Sequence, residues 1–128
     1  MRVLVTGVKG QLGYDVVNEL NKRNHEAIGV DVEEMDVTDE AAVYRVIGEA
    51  KPDAVVHCAA WTAVDAAEDP DNYDKVMKIN AFGTEYVARA CKTLDAKMTY
   101  ISTDYVFDGR GDEPWEPDCK DYAPLNVY

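Results

Sequence analysis

The stretch RVLVT at 2–6, rich in β-branched residues, runs straight into GVKGQLG, where Gly7, Gly10 and Gly13 stand three apart. Glycines at that spacing often do no more than shape a turn. Behind a strand and ahead of a helical pattern they constrain the fold far more, because the chain must pass from strand to helix through a loop with almost no side chains. Gly7 allows the tight turn, Gly10 lets a backbone come close to a pyrophosphate, and Gly13 lets the helix pack closely on the sheet. The free amides at the helix start, around Gln11 and Leu12, then face an anion with the positive end of the helix dipole behind them.

The rest of the chain repeats that alternation of strand and helix. Short β-branched runs predict strands at 2–6, 26–30 (EAIGV), 53–57 (DAVVH) and 98–102 (MTYIS). Between the first two, Leu12, Val16, Val17 and Leu20 share one helical face, and NKRN places positive charge near the carboxyl end. A second helix starts at Thr38 or Asp39 as cap, with Val43, Val46, Ile47 and Ala50 inward. A third follows Pro70, its later part aligning Ile79, Gly83, Val87, Ala90 and Leu94. The expected fold is α/β, a Rossmann-like, doubly wound parallel sheet of order 3-2-1-4 with helices on both faces and a ligand crevice where strands 1 and 4 meet. After Ser102 the sequence DGRGDEPWEPDCKDYAP is rich in Gly, Asp and Pro and reads as a long loop.

Charge narrows the partners. With 25 Asp and Glu against 13 Lys and Arg, the net charge of -12 repels a phosphate backbone, so nucleic acid is not an expected partner. The acidic residues are scattered, as on a solvated surface. Cys58, Cys91 and Cys119 are odd in number, with no CxxC spacing and no histidine cluster, and read as reduced thiols of a cytoplasmic protein without a metal site. The apolar run behind the N-terminus is broken at Thr6 and Gly7, too early for a signal peptide or a membrane span.

An acidic residue is expected at the end of the second strand, where it would accept hydrogen bonds from an adenine ribose, and Asp31 is there. Its carboxylate repels a 2′-phosphate and favours NADH. Lys9, inside the glycine loop, attracts one and admits NADPH. The two residues argue in opposite directions, and dual use is the expectation.

Five stretches in order, TGVKGQLG, DVTD (36–39), DAVVHCAA (53–60), INAFGT (79–84) and ISTDYVFDG (101–109), resemble the successive motifs of the extended short-chain dehydrogenases/reductases. The resemblance covers nearly the whole chain. It implies that Asp36 and Val37 lie by the adenine, that Ala59 and Ala60, with Thr62 close behind, pass beneath the cofactor, and that Asn80 helps organise the site from mid-helix. Asp53 takes a structural role at the strand start. Members of this family use a Ser or Thr, a Tyr, and a Lys four residues after the Tyr. Thr103 matches the first and Tyr128 the second, so the chain is expected to be a fragment that stops short of the lysine and of the substrate-binding half. On that expectation the fragment alone is inactive.

Within the family, Asp104 followed by Tyr105 departs from the Asp–Glu pair of the nucleotide-sugar 4,6-dehydratases, and without that second carboxylate elimination lacks its base. The short connection between Asp31 and Asp36, with AAWTAVDAAED and STDYVFDGRGDEPWEPD, most resembles the branch that reduces the 4-keto group of dTDP-4-dehydrorhamnose to give dTDP-L-rhamnose. The resemblance implies a dTDP-sugar as partner, NADPH or NADH as cofactor, and Tyr105 as a border of the nicotinamide and sugar. Other readings are another nucleotide-sugar epimerase or reductase of the same family, a regulatory subunit of the type of the beta subunit of methionine adenosyltransferase, and a bare cofactor-binding module; intact Thr103 and Tyr128 favour an enzyme over the last two. Strand 4 should carry an open outer edge, through which copies would self-associate.

Overall fold

The computed structural model describes residues 1–128. Four parallel strands, β1 (Arg2–Thr6), β2 (Glu26–Val30), β3 (Ala54–His57) and β4 (Lys97–Tyr100), form one sheet. The parallel α/β architecture is the one expected, but the order is β2-β1-β3-β4 and not 3-2-1-4. β1 is therefore flanked by β3, not β4. Side-chain burial is consistent with this order, which contacts of Asp53 with Arg2 fix. β3 buries Val55 and His57 and needs a strand on each side, whereas β2 exposes Glu26 and Gly29 and suits an edge. Asp53 fixes the pairing at the strand starts: its carboxylate accepts from Arg2 N–H at 2.7 Å, its own N–H donates to the Arg2 carbonyl at 2.8 Å, and its carbonyl accepts from Lys97 N–H at 3.0 Å.

The chain moves one way from β1 to β2 and back the other way to β3 and β4. Right-handed crossovers then put α1 (Gln11–Lys22) on one face of the sheet and α2 (Glu40–Ala50) with the later helix on the other, and α2 does pack against α5 (Thr84–Thr93). The reversal opens a crevice at the carboxyl ends of β1 and β3, where such sheets take ligands. Asp39 is the α2 cap, its Oδ1 accepting from Ala41 and Ala42 N–H, and Val43 and Ile47 are fully buried beneath it. They join Leu4, Val30, Met35, Val55, Val87 and Cys91 in the core.

Two helical details depart from the periodic reading. Leu12 is exposed, because α1 turns that end toward the crevice, and Leu94 lies just past the end of α5 and is also exposed. Between β3 and α5 the chain forms α3 (Val64–Ala67), a 3₁₀ turn at Pro70–Asn72, α4 (Tyr73–Val76) and a π-helical stretch at Met77–Gly83. Wide turns of this kind often re-aim side chains at a site. Gly83 ends this one against the loop before α2: a Cβ there would lie 3.0 Å from Val37 Cγ2 and 3.1 Å from the Val37 carbonyl oxygen. β4 begins and ends one or two residues earlier than the run at 98–102 and has no strand on its outer side. Beyond it, apart from a 3₁₀ turn at Asp104–Val106, the chain is irregular, as its composition predicts. Phe107, Trp115 and Tyr122 gather there, the first two rings stacked at 4.4 Å. No helix is long and apolar enough to cross a membrane.

Candidate active site

A cleft of about 1010 Å³ occupies the crevice. The glycine turn forms one wall. Gly7 sits at φ 69°, and a Cβ on it would be 2.8 Å from Ala59 N; a Cβ on Gly13 would be 2.3 Å from the Gly7 carbonyl oxygen. Both glycines are required by close backbone approach. Gly10 is the α1 cap residue with extended backbone and meets only the Gly7 oxygen at 3.3 Å, so its lack of a side chain serves the open cleft. The first turn of α1 has no side-chain cap and no acidic residue, which leaves its amides and dipole facing the cleft. These features fit a dinucleotide's pyrophosphate at Gln11, Leu12 and Gly13, all of which line the cleft.

Asp31, Asp36 and Val37 line the far end. Asp31 is already bonded: Oδ2 accepts from Lys9 N–H and Oδ1 from Val32 N–H, each at 2.9 Å. The Lys9 ammonium pairs with Glu33, a residue the sequence reading did not single out. Hydrogen bonding to Glu33 raises the lysine's pKa, desolvation opposes this, and the charges of Glu33, Asp31 and Glu34 add to the rise. Asp36 Oδ1 accepts from both the N–H and the hydroxyl of Thr38, at 2.9 and 2.8 Å, which fixes the turn that carries Val37.

The floor is the chain after β3. Ala59, Ala60 and Thr62 line it, as does half-buried Cys58, whose thiol pKa burial pushes up. Thr6 Oγ1 accepts from Cys58 N–H at 3.1 Å and Ala59 N–H at 3.0 Å and lies 2.8 Å from His57 Nδ1; His57 Nε2 lies 3.2 Å from Thr84 Oγ1. His57 is 1% exposed, stacks on Tyr100 at 6.1 Å, and burial lowers its pKa to about 4. Neither Thr6, His57 nor Thr84 was expected at the site. The alternation of DAVVH places His57 on the buried face of Val55, which is the one signal that would have found it.

Tyr128 lines the cleft, but Thr103 and Tyr105 do not; Ser102 lines it instead. Thr103 Oγ1 accepts from Tyr105 N–H at 3.2 Å and so caps the following turn. Tyr105 meets Tyr128 edge to face, with centroids 6.1 Å apart. Glu68 Oε1 accepts from Val127 N–H at 2.7 Å, tying the segment that carries Tyr128 to the end of α3.

Over residues 1–128 the chain matches the family model described as RmlD substrate binding domain. The chain belongs to this RmlD family. Members and relatives agree with the match. It is 40% identical over 127 residues to a dTDP-4-dehydrorhamnose reductase of Streptomyces griseus, covering 99% of this chain and 41% of that protein. The crystal structure of a dTDP-4-dehydrorhamnose reductase from Clostridium acetobutylicum is similar with a TM-score of 0.92 and 41% identity, over 100% of this chain and 45% of that one. A dTDP-4-dehydrorhamnose reductase from Bacillus anthracis, solved in complex with NADP, gives a TM-score of 0.92 and 40% identity over 99% of this chain and 44% of that one. This RmlD-family chain thus spans less than half the length of the relatives it matches.

Proposed function

We propose that residues 1–128 form the cofactor-binding part of a reductase that uses NADPH or NADH to reduce the 4-keto group of a dTDP-sugar, dTDP-4-dehydrorhamnose, to dTDP-L-rhamnose. One observation carries the reading: an uncapped helix start, two glycines that admit no Cβ, and Tyr128 all face one cleft. The relatives' names point to the same reaction, and one of them was solved with NADP.

A bound dinucleotide would supply the hydride. The chain's own groups would do the rest. Gln11, Leu12 and Gly13 amides would hold the pyrophosphate, Asp31 and Asp36 the adenosine end, and Ala59, Ala60 and Thr62 the underside. Tyr128 would give its phenolic proton to the oxygen that gains charge on the sugar, and Thr103 would hold that oxygen by hydrogen bond after leaving its cap on the 104–106 turn. Tyr105 would border the sugar. No carboxylate stands at position 105 to take a proton from sugar carbon, which speaks against the dehydratase reaction.

Because these residues span 41% to 45% of the relatives' length, we propose that alone they bind dinucleotide and do not turn over a keto sugar. The test is loss of NADPH absorbance with dTDP-4-dehydrorhamnose, for the full-length protein and its Tyr128→Phe and Thr103→Ala forms. Wild-type turnover that falls at least about a hundredfold in Tyr128→Phe is expected. Unchanged turnover in Tyr128→Phe would remove the tyrosine from its role, and no wild-type turnover would remove the substrate.

A further inference from the structure

Thr6, His57 and Thr84 come from β1, β3 and α5 and meet under the cleft. A hydroxyl oxygen accepts two hydrogen bonds and donates one. Thr6 Oγ1 already accepts from Cys58 N–H and Ala59 N–H, so its proton is left for His57 Nδ1, 2.8 Å away. A ring nitrogen that accepts carries no proton, which puts the imidazole hydrogen on Nε2, facing Thr84 Oγ1. All these bonds then run in one direction. The two amides they hold belong to the floor of the cleft, and Ala59 N is the atom a Cβ on Gly7 would strike. Nothing but backbone separates the floor from the glycine turn, so a shift of one must move the other.

We infer that His57 is a positioning residue: as the Nε2–H tautomer between Thr84 and Thr6, it orients the Thr6 hydroxyl to hold the Cys58 and Ala59 amides, and so sets the spacing between cleft floor and glycine turn that a dinucleotide needs. The part about the dinucleotide rests on the function proposed above; the tautomer and the held amides do not.

The first test is the ¹⁵N spectrum of the His57 ring in the wild-type chain near pH 7. Protonated Nε2 with bare Nδ1 is expected, and a ring protonated at Nδ1 overturns the inference without any variant. The second compares Thr6→Val and His57→Leu with Thr6→Ser and His57→Asn, where the Asn carbonyl can stand in for the accepting Nδ1. Amide exchange at Cys58 and Ala59 should quicken about tenfold in the first pair relative to amides inside β1 and β3, and return in the second pair. NADH affinity should fall about tenfold and recover in the same pattern. Exchange that rises only in step with the β1 and β3 amides would reduce His57 to a packing role and sink the idea. A wild type with the expected tautomer and exchange that fails to bind NADH would instead remove the dinucleotide reading and leave the network standing.

Discussion

Asn80 grips Trp61 by both sides of its backbone: Oδ1 accepts from Trp61 N–H at 2.8 Å, and Nδ2 donates to the Trp61 carbonyl at 3.2 Å. The π-helical stretch turns Asn80 to this task, and the loop it holds continues from the cleft floor. Lys75, one turn earlier, lies over the Trp61 ring at 5.0 Å. Replacing Asn80 with Ala leaves both Trp61 backbone groups without these partners and should lower stability by about 2 kcal/mol. In a Trp115→Phe background, where Trp61 is the only indole, its emission should shift red. Unchanged denaturant midpoint and emission would show that the loop stands without Asn80.

Gly13 and Gly10 should part company on substitution. An alanine at 13 forces a methyl to 2.3 Å from the Gly7 oxygen and 2.8 Å from its carbonyl carbon, both backbone atoms that cannot step aside. Overpacking of that kind should destabilise by about 3 kcal/mol or more. At Gly10 the methyl meets a single atom at 3.3 Å, so Gly10→Ala should keep stability within about 1 kcal/mol yet weaken dinucleotide binding, because the methyl projects where phosphate approaches. Urea unfolding and NADH titration of the two variants separate these outcomes; equal stability losses would contradict the division of roles.

His57 ties stability to pH. Its ring is neutral in the fold, with a pKa lowered to about 4 by burial, while in the unfolded chain it titrates near the ordinary 6.5. Between those values the unfolded state holds more protons than the native one, so its contribution is fully present above about pH 6.5, falls as pH drops, and is gone below about 4. The change amounts to roughly 3 kcal/mol across that window. Urea midpoints should decline more steeply from pH 6.5 to 4 in the wild type than in His57→Asn, which has no ring to titrate. Parallel declines would place the pH dependence elsewhere.

The strands at 2–6 and 26–30 and the Asp39 cap were legible because each is a local matter: β-branched runs, a turn residue, a carboxylate ahead of a helical pattern. Strand order was not, because hydropathy ranks how buried a strand is without saying which neighbour buries it, and β3 took the place beside β1 through contacts of Asp53 with Arg2. The π-helical stretch escaped for a related reason. The inward positions Ile79, Gly83, Val87 and Ala90 tolerate a widened turn without losing their common face. The glycine turn, Asp31 and the Ala59 floor were each read from a single segment and all line one cleft, whereas the Thr6–His57–Thr84 chain joins residues 51 and 27 positions apart. Pairing at that distance leaves no spacing to read.

Cofactor preference should turn on Glu33. Asp31 and Lys9 set the expectation of dual use, but the lysine's ammonium is held by Glu33, and Asp31 is held by the Lys9 and Val32 amides. A 2′-phosphate that sought Lys9 would have to displace Glu33 and lie among the carboxylates of Asp31, Glu33 and Glu34, whereas a bare ribose hydroxyl meets no such repulsion. Glu33→Gln should therefore tighten NADPH by several-fold and leave NADH nearly unchanged. Lys9→Ala should weaken NADPH more than NADH, and in that background the gain from Glu33→Gln should shrink, because the freed ammonium is what the phosphate uses. Lys9 and Glu33 are well exposed, so each difference should diminish as salt rises. The measurement is the ratio of NADPH to NADH dissociation constants across the four proteins at low and high ionic strength. A Glu33→Gln ratio equal to that of the wild type at low salt would show that the Lys9–Glu33 pair does not reach the ribose.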